Sequence, residues 1–298
     1  MKICYLLQGR DEPEIALQYA VALSKEDYVV LSLNDDKWRN EAYFTLVKNP
    51  NILLSTSTPF AQEGDLSSAR CWLYQMKDAL EKYDFDLCVN LTEKTLPTGS
   101  REAWVKMLGD QQITNAIRID RDSETDPAFA ATIKRYYMST NSNKFAVSEK
   151  FRKNARRTAD VIYALGFRRK LTDVIYEGEP WFVFDKNTAG NFSANLVYLT
   201  EQFLLGWYPE RVIFHTMWKK FLGHKQIENT NFVETESNGE AKCFKKYDVL
   251  PSRKEVAEIL KQYQPLYVPP YEFIADEIVE EDKRSVVNRM IDRFKGKQ

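Results

Sequence analysis

Short apolar runs that end in polar turns, separated by stretches of helical periodicity, recur through the first hundred residues and restrict the fold more than any other feature. Ile3 to Leu7 is an unbroken apolar run, the pattern of a strand buried on both faces. Gln8-Gly9-Arg10 is a turn. Asp11 to Ser24 then reads as a helix, with acids and Pro13 in its first turn and Ile15, Tyr19, Ala22 and Leu23 on one face. Tyr28 to Leu33 is a second buried strand that ends in Asn34-Asp35-Asp36-Lys37, and Ile52 to Ser55 is a weaker third. Asp65 to Tyr83 is the clearest helix, with Leu66, Ala69, Leu73, Met76, Leu80 and Tyr83 at intervals of three and four. Asp86 to Leu91 follows as a strand and runs into Thr92-Glu93-Lys94-Thr95-Leu96-Pro97.

Strands alternating with helices predict an α/β fold, a mostly parallel sheet with helices on both faces. Ligands of such sheets collect at the carboxyl ends of the strands. Gln8–Arg10, Asn34–Lys37 and Thr92–Pro97 are therefore expected to floor one site.

The second half is less regular. Lys144 to Leu165 reads as a long basic helix, and Trp181 to Phe184 as a strand. Leu196 to Trp207 and Val212 to Leu222 read as helices on either side of Tyr208-Pro209-Glu210-Arg211. Ser252 with Glu255 spells a capping box for a helix to Tyr263, and Asp276 to Phe294 reads as a charged terminal helix. No repeat or low-complexity linker divides the chain. The expectation is one domain over residues 1–298, with a nucleotide-binding half (1–100), an acceptor half (101–275) and a terminal helix (276–298).

Acids and bases nearly cancel, 43 against 42, so no global field draws nucleic acid or anionic membrane. The charges of the basic helix are spread around it, as on a solvated face. Cys4, Cys71, Cys88 and Cys243 form no CxxC pair and read as reduced, buried hydrophobes. No apolar run has the length of a membrane span, so the expected location is cytoplasmic, with peripheral membrane association left open. Gly9 is alone among the first sixty residues, which excludes GxGxxG and P-loop motifs. Asp84-Phe85-Asp86 spells Asp-x-Asp but precedes its strand, and Asp35 and Asp36 are adjacent, so their carboxylates diverge on an extended chain. The sequence calls for no metal and no cofactor.

These segments together resemble the core-2/I-branching β-1,6-N-acetylglucosaminyltransferase family, related to peptide O-xylosyltransferases. The resemblance rests on Lys2–Leu7 with Glu12-Pro13-Glu14, on Tyr28–Lys37, on the helix Leu66–Tyr83 leading to Val89-Asn90-Leu91, on Tyr176–Phe184, and on Tyr208–Thr216. It implies a GT-A-like fold and an inverting, metal-independent transfer from a nucleotide-sugar donor, a UDP-sugar foremost, to a glycan or glycolipid hydroxyl. Gln8, Gly9, Arg10, Asn34, Asp35 and Lys37 would then bind the nucleotide, and Thr95, Trp181 and Arg211 the acceptor. Glu210 would be the base, although Arg211 falls on the family's catalytic Glu when the block is aligned without a gap. Pro269-Pro270 replaces an expected Arg-Lys phosphate clamp, and Thr95 replaces an Asp. Two readings follow. One is an active transferase that recruits other cations, such as Arg10, Lys37 or Arg211; the other is a degenerate member that binds nucleotide or glycan as an assembly subunit. On residue chemistry alone, Trp181 could equally be core, Glu210 a helix-start acid and Asp35 a turn residue.

Overall fold

The strand β1, Ile3–Gly9, has all seven of its residues buried, and the remainder of the molecule is arranged around it. In the computed structural model the described residues are 1–46, 48–55, 60–137, 149–197, 202–223, 227–230, 232–234, 243–270 and 273. β1 pairs in parallel with β2, Tyr28–Leu33, on one side and with β4, Leu87–Thr92, on the other. β3, Ile52–Leu54, extends the sheet beyond β2, also in parallel. β9, Phe182–Asp185, joins β4 antiparallel, and β6, Ala116–Ile117, joins β9 antiparallel. The fold is thus α/β, with a mostly parallel six-stranded sheet in the order β3-β2-β1-β4-β9-β6. Because β9 and β6 come from beyond residue 100, the two halves read from the sequence share one sheet.

Connection handedness explains why both faces are covered. The chain steps outward from β1 to β2 to β3 through α1, Pro13–Leu23, and α2, Asp36–Leu46. It then returns through α3, Leu66–Lys82, to place β4 on the opposite side of β1. Right-handed crossovers in opposite directions put their helices on opposite faces. α1 packs on β1 and β2 and against α9, Arg253–Tyr263, while α3 packs against α7, Lys186–Ala194, and α8, Pro209–Leu222. The reversal between β1 and β4 is a topological switch point. Gln75 of α3, fully buried, ties the central strands to that helix by donating to the Leu7 and Val30 carbonyls at 2.8 and 2.9 Å.

Aromatic rings fill the layer beneath α3. Trp72 meets Trp181, Phe182 and Phe214 at centroid distances of 6.2–6.3 Å, and Phe182 stacks on Phe184 at 4.4 Å. At the amino ends of the strands, Asp27 is buried and is held by two Arg101 nitrogens at 2.5 and 2.7 Å.

Several expectations need correction. Asn34–Lys37 is not wholly loop: Asp35 Oδ1 accepts from the Trp38 N–H at 2.9 Å, and α2 begins at Asp36. Thr95–Pro97 is not simply a turn but a strand, β5, that pairs with β11, Phe244–Lys246. A helix starts at Lys186, where Asp185 Oδ1 accepts from the Thr188 N–H at 2.6 Å and Ala189 and Phe192 supply a buried face. The expected helix Leu196–Trp207 does not run to its end, because residues 203–208 form turns with Leu205 and Tyr208 at positive φ. The basic helix is described over Glu149–Ala164, here α6, while its expected first residues, 144–148, and the terminal helix expected over 276–294 lie outside the described residues. No helix among the described residues is long and apolar enough to cross a membrane.

Gly9 sets how closely α1 approaches the sheet, since a Cβ there would lie 2.6 Å from both Ala16 Cβ and Leu33 Cδ2. Gly9→Ala should therefore cost about 1–3 kcal/mol through overpacking, read as a lower urea midpoint with an unchanged slope.

Candidate functional site at the carboxyl ends of β1 and β4

At the carboxyl end of β1 the chain turns inward. Gln8 is fully buried; its Nε2 donates to the Ser68 carbonyl at 2.9 Å and its Oε1 accepts from Arg10 Nε at 2.9 Å. Arg10 Nη2 donates to Ser68 Oγ at 2.5 Å and lies 3.6 Å from Glu210 Oε2, and its guanidinium sits 5.5 Å from the Trp72 ring centroid. A cation so enclosed needs an anion beside it, and the first turn of α8 supplies Glu210. Glu210 is itself buried, and its Oε1 accepts from the Gly64 N–H at 2.7 Å. It follows Tyr208, held at φ 33° with its hydroxyl accepting from Arg156 at 2.7 Å, and Pro209, which starts the helix. Asn34 closes the side of β2: its amide donates to the Arg10 and Ala61 carbonyls at 3.2 and 2.7 Å, and its oxygen accepts from the Ala61 N–H at 2.8 Å.

A second carboxylate completes the interior. Glu93, fully buried after β4, accepts from the Asp11 N–H through Oε1 at 2.9 Å, and its Oε2 has no hydrogen-bond partner among the described residues. Burial pushes the Glu93 carboxyl up against the pull of that N–H and of Arg10. Burial likewise raises Glu210, with Arg10 the main opposing influence. Toward solvent, Lys94 reaches Asp11 at 2.6 Å and Lys246 reaches Glu63 at 2.6 Å. Burial acts upward on Glu63 too, but Lys246, Arg10 and Lys94 together hold it below the ordinary range.

The sequence-derived candidates therefore separate. Gln8, Arg10, Asn34 and Glu210 meet, with Gly9 as the backbone between the first two. Asp35 and Lys37 are exposed at the start of α2. Thr95 is fully buried, its hydroxyl 3.0 Å from that of Thr92, so it faces the inside of the turn. Trp181, expected to stack on an acceptor ring, is 6% exposed and lies edge-on to Trp72 in the core. Arg211 projects away from Glu210: its Nε donates to the Gly178 carbonyl at 3.2 Å and its Nη2 lies 3.5 Å from Glu179. Sequence reasoning missed Glu63, Ser68, Glu93, Lys94 and Lys246 as individuals, although Glu93 and Lys94 lie within the Thr92–Pro97 segment it placed at the site.

Chemically, the cluster offers an enclosed guanidinium, two acids with raised proton affinity and a rim of two lysines at a switch point. That combination can hold an anionic ligand and move a proton.

No protein-family model matches the chain, and no curated protein matches it. Among solved structures, a mannose-1-phosphate geranyltransferase from Thermus thermophilus aligns with a TM-score of 0.31 and 12% identity, over 67% of this chain and 65% of that one. This chain thus spans slightly less than two thirds of that protein, and the family stays unassigned.

Arg10→Met should leave Glu210 buried without its countercharge and destabilise the fold by about 3–5 kcal/mol at neutral pH. Glu210→Gln in that background should recover part of the loss, measured as a coupling energy in a urea-denaturation cycle. A carboxyl whose pKa is raised on folding favours the folded state fully below its unfolded value, near 4.5, and loses that contribution as pH rises through the raised value. Glu93→Gln, which still accepts from Asp11, should therefore gain stability relative to the parent as pH rises from 4.5 toward neutrality.

Proposed function

We propose that the chain is an inverting, metal-independent glycosyltransferase of the core-2/I-branching kind. It moves a sugar from a nucleotide-sugar donor, a UDP-sugar foremost, to a hydroxyl of a glycan or glycolipid. The observation that carries this reading is the meeting of Arg10 and Glu210, from chain positions two hundred residues apart, at the switch point of the sheet. In this reading Glu210, with its proton affinity raised by burial, takes the proton of the acceptor hydroxyl as that oxygen bonds to the anomeric carbon. The bond from that carbon to the donor diphosphate breaks, and its electrons leave with the nucleoside diphosphate. Arg10, with Lys94 and Lys246 at the rim, balances the departing charge where other transferases use a divalent ion. The fact that Glu210 rather than Arg211 turns toward Arg10 supports the base assignment despite the family's different spacing.

One observation favours a second reading, in which the chain binds nucleotide or glycan without transferring it. Glu93 already occupies the Asp11 N–H at the entry to α1, where a phosphate would dock, and Arg10, Lys94 and Lys246 each have an acid beside them. An anionic donor must displace these carboxylates or meet them protonated.

A panel of UDP-, GDP-, CMP- and dTDP-sugars, followed by thermal shift with and without EDTA, separates the possibilities. The transferase reading expects one donor to raise the melting temperature in EDTA as in its absence, and Glu210→Gln to keep that shift while losing transfer. Failure of every nucleotide sugar to stabilise the chain removes the transferase reading and confines the second to glycan binding; stabilisation without turnover in the parent protein leaves the second as nucleotide binding.

A further inference from the structure

α6, Glu149–Ala164, turns Ala155, Ala159, Ile162 and Tyr163 toward the body of the protein and leaves further apolar side chains exposed at its carboxyl end. Among its described side chains only Ala159 is buried. Val161 is 59% exposed, Leu165 one turn further on is 70% exposed, and Phe167 just beyond is 65% exposed. Val161 and Leu165 lie one helical turn apart, and Phe167 follows within two residues, so three exposed apolar side chains gather at this end of the helix.

The charge around the patch is one-sided. Residues 149–170 contain eight Lys or Arg and two acids. Arg169 has an internal role, bonding the Ile133 and Gln202 carbonyls at 3.1 and 2.9 Å. Of the two acids, Asp160 is paired with Arg135 at 2.9 Å. Lys153, Arg157, Arg168 and Lys170 are exposed beside the patch. This local excess contrasts with a whole-chain net charge of −1, so it is a property of this surface and not of the composition.

We propose that this face docks onto an anionic lipid surface, with Val161, Leu165 and Phe167 entering the acyl boundary and the flanking bases meeting lipid phosphates. Interfacial helices combine these two signals, because neither a few apolar side chains nor a few charges alone holds a protein at a bilayer. A nucleic acid would use the bases but gains nothing from exposed Leu and Phe, and a neutral apolar partner gains nothing from the bases. The helix also borders the site described above, since Arg156 holds Tyr208 two residues before Glu210. The inference stands on this surface alone and does not require the glycosyltransferase reading.

The test is co-sedimentation of the full chain with phosphatidylcholine vesicles and with phosphatidylcholine–phosphatidylglycerol vesicles, at low and high salt. Two variants are compared, Leu165→Ser/Phe167→Ser and Lys153→Glu/Arg157→Glu, each first checked for an unchanged thermal midpoint, with Leu165→Ser alone as a milder version. The expected result is partition onto the anionic vesicles only, weakened by salt and at least about tenfold by either double variant. Absence of partition onto anionic vesicles overturns the proposal. So does partition that survives loss of Leu165 and Phe167, which marks plain charge adsorption. Retention on duplex DNA that depends on Lys153 and Arg157 but not on Leu165 and Phe167 overturns it in favour of a nucleic-acid surface.

Discussion

A strand covered on both faces and paired along both edges has only its ends left for chemistry. β1 is such a strand, and every polar group at its carboxyl end must be satisfied within a few ångströms. Gln8 is drawn to the Ser68 carbonyl, Arg10 to Ser68 and Glu210, and Asn34 to the Arg10 and Ala61 carbonyls. The arrangement binds elements far apart in the chain: the α1 entry, the segment before α3, the end of β4 and the start of α8. What reads as a binding site is also the clasp joining these parts.

The clasp is electrostatically balanced toward acid. Among the described residues Arg10, Lys94 and Lys246 face Asp11, Glu63, Glu93 and Glu210, three cations against four acids. With all four ionised the cluster is an unwelcoming host for a diphosphate. With Glu93 protonated, a state its burial favours, three cations face three acids, and an ionised Glu210 is still able to accept a proton. The charge of the cluster is therefore tied to an internal proton and not to a fixed basic patch.

How much of this was legible beforehand depends on the range of the interaction. The strands Ile3–Leu7 and Tyr28–Leu33 and the helix Leu66–Lys82 were readable because burial on a face imposes a local period. Gln8, Arg10 and Asn34 could be placed because the carboxyl-end rule needs only strand boundaries. Trp181 could not, because whether a strand aromatic meets solvent or Trp72 is settled by the opposite layer. Thr95 was assigned to a ligand-facing turn, whereas its pairing with β11 depends on a segment about 150 residues away. The helix Lys186–Ala194 was hidden by Gly190 and by polar residues at its start, and its formation rests on the Asp185 cap and the buried Phe192. Lys246 carried no sequence signal at all, since its role exists only through Glu63.

The contact between Arg10 and Trp72 has an optical consequence. An indole's excited state is strongly dipolar, so a guanidinium fixed 5.5 Å from its ring centroid biases the energy of the emitted light. Trp72 is otherwise sealed in the core with its Nε1 unbonded among the described residues, which removes the hydrogen-bonding and hydration changes that usually blur such a signal. Any event that draws Arg10 toward an incoming anion changes the field on this buried chromophore. The emission of Trp72, one of six tryptophans, is thus coupled to the position of a single guanidinium.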